Sequence, residues 1–145
     1  MKYLSVLIFS VLLFACNPKP EKSALGNTEE NCESIVKVTK EEFTRIKTDE
    51  FDLKELAIRN NCLAVEIGFK GGCGTVNLDL TWDGIVVETQ PQKVVLKPRF
   101  DDNDDCNKDM TNTSLFSLDL LNDYYEGETI IELSGYDKRV RYNFE

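Results

Sequence analysis

Residues 61–84 read NCLAVEIGFKGGCGTVNLDLTWDG, and this stretch decides the fold class. Apolar side chains alternate with more polar ones in two runs, first at Leu63, Val65, Ile67 and Phe69 and then at Leu78, Leu80 and Trp82. An alternation of period two is typical of a β-strand with one buried face. The glycine-rich GGCG between the runs interrupts both patterns, as a turn does. The stretch therefore predicts two strands that follow each other directly.

The rest of the domain repeats this pattern. Further alternating sets occur at Val94 and Leu96, at Phe116, Leu118 and Leu120, at Ile130–Leu133 and at Val140–Phe144. Asp83-Gly84, between Trp82 and Ile85, predicts a tight hairpin, and Asn60-Asn61 predicts another before Leu63. Seven or eight short strands with turn signals between them predict a mostly β domain over residues 32–145, a single antiparallel β-sandwich or small barrel.

One helix precedes the strands. Thr39 and Glu42 have the spacing of a capping box, in which each side chain accepts a hydrogen bond from the other residue's backbone. Phe43 and Ile46 then lie three residues apart, on one face of a helix. We expect a short N-terminal helix over Lys40–Lys47.

The N-terminus has the layout of an export signal. Lys2 precedes an apolar run from Leu4 to Phe14, whose eleven residues make a helix of about 16 Å, whereas a bilayer core needs about 30 Å. Leu13-Phe14-Ala15-Cys16 resembles the lipobox of bacterial lipoproteins. The resemblance implies that residues 1–15 are a signal peptide and that Cys16 carries a diacylglycerol and an acyl chain such as palmitate. The alternative is an ordinary secretory signal with a cysteine present by chance.

Residues 16–31 predict a lipidated cysteine followed by a flexible tether, because prolines, a glycine and charges leave little to bury. Asn17 stands where Asp is the inner-membrane retention signal of enterobacterial lipoproteins. We therefore expect a lipid anchor in the outer membrane, on a face that the sequence leaves open.

The charge balance restricts the partners. The chain has 17 basic and 26 acidic residues, no His and a net charge of −9; loss of Lys2 with the signal peptide makes it −10. Nucleic-acid binders need basic patches, so nucleic acid is not expected. An acidic surface favours solubility and, less specifically, basic partners.

Five cysteines leave an even number once Cys16 is lipidated. A zinc site is disfavoured, because no two cysteines have C-x-x-C spacing and the chain has no His. Two disulfides in an exported domain are expected, and four cysteines allow three pairings. We favour Cys32–Cys62 and Cys73–Cys106, because Cys73 and Cys106 both lie in Gly- or Asp-rich loops next to strands.

The acidic run from Asp101 to Asp109 is the sharpest chemical feature. Asp101, Asn103 and Asp105 have the spacing of the first three calcium ligands of an EF-hand, but Cys106 replaces the glycine that the loop needs. A calcium site of another kind at these three residues stays open. The alternative is a solvated loop whose charges discourage aggregation.

Aromatic residues give weaker signals. Trp82 is expected in the core, because it lies in an alternating strand. Tyr124 and Tyr125 lie between Asp123 and Glu126 in an apparent loop, so they are candidates for exposure.

One longer resemblance covers residues 61 to 106. The segments Asn61–Leu63, Gly71–Gly74 and Leu80–Gly84, with Pro91 and Cys106 in step, resemble small uncharacterised lipoproteins of the Bacteroidota. The resemblance implies a lipid-anchored β-domain and no particular activity. The matched glycines suit positive φ or close backbone approach beside a disulfide, which is a structural role.

Without His the usual acid–base residue is missing, so an enzyme is not expected. The leading hypothesis is a non-enzymatic, lipid-anchored module that binds a protein or envelope component. The alternatives are an inhibitor of a basic hydrolase such as lysozyme and a calcium-dependent adhesion module.

Overall fold

A computed structural model of the protein describes residues 31–145, in which nine strands and two short helices occur. The elements are β1 (Glu33–Ser34), β2 (Val36–Lys37), α1 (Lys40–Arg45), β3 (Asp52–Arg59), β4 (Cys62–Gly71), β5 (Thr75–Trp82), β6 (Gln92–Asn103), β7 (Lys108–Ser117), α2 (Asp119–Asn122), β8 (Gly127–Leu133) and β9 (Arg139–Phe144). The signal peptide, Cys16 and nearly all of the tether predicted above lie outside the described residues.

The strands form two sheets that pack as a sandwich. One sheet has the order β1-β7-β4-β3, and the other has the order β2-β5-β6-β8-β9. The pairs β1–β7, β2–β5 and β6–β8 are parallel, and the remaining pairs are antiparallel. The predicted mostly β, sandwich-like fold is confirmed, although both sheets are mixed where the sequence predicted antiparallel ones.

The alternating patterns mark the core correctly. Leu63, Val65 and Ile67 in β4 and Leu80 and Trp82 in β5 are completely buried between the sheets. Burial of a Leu- or Ile-sized side chain stabilises the fold by about 1.5–3 kcal/mol. β4 and β5 therefore each supply an inner strand with buried side chains, one to each sheet.

Helix α1 begins where the capping box predicted. Thr39 Oγ1 accepts a hydrogen bond from the Glu42 N–H at 3.2 Å, and Glu42 Oε2 accepts one from the Thr39 N–H at 2.9 Å. The helix ends at Arg45, two residues earlier than expected. Lys97 Nζ donates a hydrogen bond to the Phe43 carbonyl at 2.7 Å. The last carbonyls of a helix have no N–H partner within it, and here a cation takes that place.

The two predicted hairpins have different outcomes. Asn60 and Asn61 have φ of 47° and 63°, as a two-residue hairpin turn needs, and they join β3 to β4 with Arg59 opposite Cys62. The prediction of a tight hairpin at Asp83-Gly84 is wrong, because a long loop follows β5 and β5 then pairs with the far half of β6. Within that loop the Ile85 carbonyl accepts hydrogen bonds from Trp82 Nε1 and the Tyr125 hydroxyl, both at 3.3 Å, so it serves the core instead of a second strand.

Two further expectations near residue 120 are corrected. The alternation at Phe116, Leu118 and Leu120 predicted one strand, but β7 ends at Ser117 and α2 follows. Tyr124 is exposed as expected, whereas Tyr125 is buried against Trp82 and Phe144. Burial raises the pKa of the Tyr125 hydroxyl to about 12.

The chain enters the sandwich at the end where β4 begins. The Cys32–Cys62 disulfide is formed there, β1 joins one sheet and β2 joins the other, and the buried Ile35 lies between them. This pairing, like Cys73–Cys106, is the one that the sequence favoured. No helix within residues 31–145 is long and apolar enough to cross a membrane.

Candidate functional site

Two connections between the sheets meet at the opposite end of the sandwich. Residues 72–74 join β4 to β5, and residues 104–107 join β6 to β7. The Cys73–Cys106 disulfide links the two connections, with a Cα–Cα distance of 5.8 Å. This end of the fold is therefore closed by a covalent bond between loops.

Asp104 holds the same two connections without a covalent bond. Its carboxylate accepts hydrogen bonds from the backbone N–H groups of Gly72 at 2.6 Å, Cys73 at 3.1 Å and Cys106 at 3.0 Å. The backbone of Gly74 contributes most to lowering the pKa of Asp104 to about 2, and these other three N–H groups add to it. Asp104 is thus ionised at all ordinary pH values, because backbone N–H groups that donate to a carboxylate stabilise its charged form.

The glycines of GGCG have the structural role that the sequence indicated. Gly72 has φ of +115°, which is unfavourable for a residue with a side chain. A Cβ on Gly74 would collide with the Asn103 carbonyl oxygen and lie 2.7 Å from the Asp104 Cα. The motif therefore lets the β4–β5 connection close against the β6–β7 connection.

A cleft of about 820 Å³ opens beside this pair of loops. It is lined by the ends of β3, β4, β6 and β7 and by the segment before β3. Its acidic residues are Asp49, Glu50, Asp52, Asp102, Asp104 and Asp109, its basic residues are Lys54 and Lys70, and its apolar residues are Phe51, Phe69 and Met110. A volume of this size fits a small ligand or a short stretch of polypeptide.

Aromatic rings form the floor of the cleft. Phe51 and Phe69 contact the fully buried Phe100, with ring centroids 5.6 and 5.3 Å apart, and Phe51 also stacks on Tyr136 at 4.9 Å. Phe51 is buried and Phe69 is half-buried, so mainly Phe69 and Met110 offer apolar surface to a ligand. The rings of the floor thus belong to the core or pack against it.

The rim nearest β6 is positioned by the chain between α1 and β3. The Asp49 N–H donates to the Phe100 carbonyl at 2.8 Å, and the Phe100 N–H donates to Thr48 Oγ1 at 3.0 Å. Asp49 Oδ2 then accepts a hydrogen bond from the Asp102 N–H at 2.8 Å. β8 pairs with β6 only as far as Leu96, so this segment occupies the place beside β6 that β8 leaves.

The cleft lies far from the point at which the chain enters the sandwich. Cys62 and Gly71 are the two ends of β4, and the nine residue steps between them span about 30 Å. Cys62 binds Cys32 at the entry end, whereas Gly71 lies against Asp104 at the cleft end. The two ends of the domain are thus separated by the full length of its longest antiparallel ladder.

The predicted calcium ligands are placed apart from this cleft. Asp101 lies 3.7 Å from Arg99, Asn103 pairs with Thr75 in the β5–β6 ladder, and Asp105 is exposed in the loop. Within residues 31–145, neither Asp101 nor Asp105 belongs to a group of three Asp, Glu, Cys or His ligand atoms within 4.8 Å of one another. The carboxylate that organises this loop is that of Asp104, which is not among the three predicted ligands.

The one group of metal-ligand type among the described residues is Cys73, Asp104 and Cys106. Both sulfurs are in the disulfide and so supply no thiolate to a metal. Asp104 could have been found from sequence as an Asp two residues before Cys106, since such a residue accepts its neighbour's N–H in an Asx turn.

No family model matches the sequence, and comparison with curated proteins gives no match. Two crystal structures have a similar fold, each with 15% sequence identity over 79% of this chain. One is a protein of unknown function, DUF1344, from Bacteroides vulgatus, with a TM-score of 0.52, and the other is a toxin-related protein from Parabacteroides distasonis, with a TM-score of 0.54. The chain spans 57% and 63% of their lengths. At this identity the likeness shows the fold alone, in two proteins of the Bacteroidales.

Proposed function

We propose that this protein is a non-enzymatic binding module of the bacterial cell envelope, anchored to the outer membrane by lipid on Cys16. The cleft at the far end of the sandwich is its binding surface for a protein or another envelope component. The proposal combines the lipobox-like Leu13–Cys16 with the geometry of the domain.

The observation that carries the proposal is the separation of the two ends. The chain enters beside Cys32, and the cleft opens about 30 Å away along β4. A lipid on Cys16 would attach the domain at its entry end, and the cleft lies at the opposite end of the domain. The attachment would therefore leave the cleft accessible to a soluble or surface partner.

The carboxylates of the cleft favour binding over catalysis. A general acid or base works best with a pKa near the operating pH. Backbone N–H groups hold the pKa of Asp104 at about 2, and hydrogen bonds from Lys54 and Lys70 lower the pKa values of Asp52 and Asp109. These groups stay negative and accept hydrogen bonds, which suits recognition of a ligand.

The anchor is tested by metabolic labelling with a palmitate analogue in a bacterial host. Wild type should take up label and fractionate with the outer membrane, and Cys16→Ala should lose both properties. Ser10→Ala, a neutral change within the apolar run, is the matched control and should label like wild type. Label that persists in Cys16→Ala would refute the anchor.

A second candidate function is inhibition of a basic hydrolase such as lysozyme, and the excess of carboxylates in the cleft favours it. The purified protein should then slow lysozyme at low salt and lose the effect as salt rises. Full lysozyme activity at equimolar inhibitor and low salt would exclude this candidate.

A further inference from the structure

Charge in the cleft is not balanced. Lys54 Nζ lies 2.5 Å from Asp52, and Lys70 Nζ lies 2.6 Å from Asp109, so both lysines are already paired. Asp104 accepts hydrogen bonds from backbone N–H groups and has no ion pair within residues 31–145. The other three acidic residues of the lining have no ion pair within the described part of the chain either, so four carboxylates of the cleft are without a counter-charge there.

These three residues differ in how firmly they are held. Asp49 and Asp102 each accept one backbone N–H, at 2.8 and 2.9 Å, which fixes their carboxylates at the rim. Glu50 follows Asp49 in the chain and is exposed at the cleft, and it has no hydrogen bond or ion pair with another residue of 31–145. A ligand cation would meet two positioned carboxylates and one that is free to turn toward it.

The floor adds a second property. Phe69 and Met110 face each other across the β4–β7 ladder, and both are half-buried at the cleft. An aromatic face attracts a cation, and the apolar surface around it accommodates the methylene groups that carry the charge in Lys and Arg. A charged rim above an apolar floor matches a long side chain with a cationic tip.

We infer that the cleft binds a Lys- or Arg-rich segment of a partner polypeptide. This inference rests on the binding role proposed above and names the chemistry of the ligand. A single divalent ion fits less well, because the carboxylates do not converge: among the described residues they form no group of three within 4.8 Å. Carboxylates spread along a rim suit several ammonium or guanidinium groups carried by one chain. An anionic segment is excluded by the four uncompensated charges.

The experiment uses the full-length protein in a nonionic detergent and fluorescein-labelled hexalysine as the probe. Binding is followed by fluorescence anisotropy between 20 and about 200 mM salt, because exposed charge pairs weaken with screening. The double variant Glu50→Gln/Asp102→Asn removes two rim charges while it keeps side-chain shape. Its matched control, Glu88→Gln/Glu126→Gln, removes two exposed charges at the chain-entry end and leaves the same net charge.

We expect the rim variant to bind hexalysine roughly fivefold more weakly, since exposed ion pairs contribute modestly one by one. The control should change affinity by less than about twofold. Phe69→Leu, which leaves the net charge unaltered, should also weaken binding by about two- to fivefold. An unaltered emission of Trp82 will show that each variant is folded.

Two results would overturn the inference. One is an equal loss in the rim variant and its control, which would mean that net charge alone attracts the probe. The other is the absence of hexalysine binding to wild type at low salt. Either result leaves the lipid anchor intact, because palmitate labelling tests Cys16 independently, and a failure of labelling leaves the cleft result intact.

Discussion

The Cys73–Cys106 disulfide and Asp104 hold the same two loops, and removing the disulfide separates their contributions. In Cys73→Ala/Cys106→Ala the covalent loop, with a sequence separation of 33, is opened. Loss of that constraint on the unfolded chain costs about 3.8 kcal/mol at 25 °C. Cys73 is exposed and Cys106 is half-buried, so little cavity energy is added. In the folded state Asp104 still accepts the backbone N–H groups of both loops.

We therefore expect the free energy of unfolding to fall by about 3–4 kcal/mol and Tm to fall by roughly 15 °C, while hexalysine binding is retained. Urea unfolding followed by the fluorescence of Trp82 is a suitable assay, because this is the only Trp and it is fully buried. Cys32→Ala/Cys62→Ala is the control. Its loop has a separation of 30, so the entropic loss is similar, but Cys62 is buried and its truncation adds a cavity.

Two outcomes would refute this reasoning. A loss below about 1 kcal/mol would show that the unfolded chain gains little freedom when the disulfide is absent. A loss of hexalysine binding in a variant that is still folded would show that Asp104 alone does not hold the cleft together.

Three other predictions concern single residues. The fold stabilises Asp104 as a carboxylate and lowers its pKa from 3.8 to about 2, so its contribution to the stability of the fold is complete above about pH 4 and is lost as the pH falls toward 2. The Tm of Asp104→Asn, measured from pH 5 to 2, should therefore fall less steeply than the Tm of wild type. Parallel curves would contradict the assignment. Phe100→Ala should lower the free energy of unfolding, measured by urea unfolding, by about 3–5 kcal/mol, because the ring is fully buried beneath the cleft floor. A loss under about 1 kcal/mol would mean that the floor collapses to fill the space. Thr39→Ala should cost about 1 kcal/mol and speed amide hydrogen exchange at Phe43, whose N–H bonds the Thr39 carbonyl; unaltered exchange would show that the cap does not hold the helix.

Patterns set by nearest neighbours were readable from sequence. The period-two runs in β4 and β5, the Thr39–Glu42 capping box and the Asn60-Asn61 turn each depend on a few adjacent residues, and all three are confirmed. The favoured cysteine pairing also agrees with the structure, in which Cys73–Cys106 joins two loops and Cys32–Cys62 joins the entering chain to the start of β4.

The errors arose where a distant group changes a local preference. Asp83-Gly84 has the residues of a hairpin turn, but Trp82 and Tyr125 use the Ile85 carbonyl. Leu118 and Leu120 alternate as in a strand, yet Leu118 is the N-cap of α2, Leu120 lies within α2, and the helix buries Leu121. Such competition is invisible to periodicity, because the competing partner lies up to 40 residues away.

The cleft was beyond the reach of sequence for a similar reason. Its acidic residues come from three separate stretches, around residues 49–52, 102–104 and 109, which only the two-sheet topology brings together. The calcium hypothesis selected Asp101, Asn103 and Asp105 because spacing along the chain was the only guide. β-structure turns alternate residues to opposite faces, so Asp102 reaches the cleft while its neighbours Asp101 and Asn103 do not.

The position of Cys32 determines how the domain responds to mechanical load. Tension arriving from the N-terminal side meets Cys32 before it meets β1 or β2, and the sulfur bridge transfers it to Cys62. Cys62 is the first residue of β4, which pairs with β7 along its whole length and with β3 as far as Gly68. The pull is therefore carried by two long ladders at once, and the two-residue strands at the entrance are spared from peeling away.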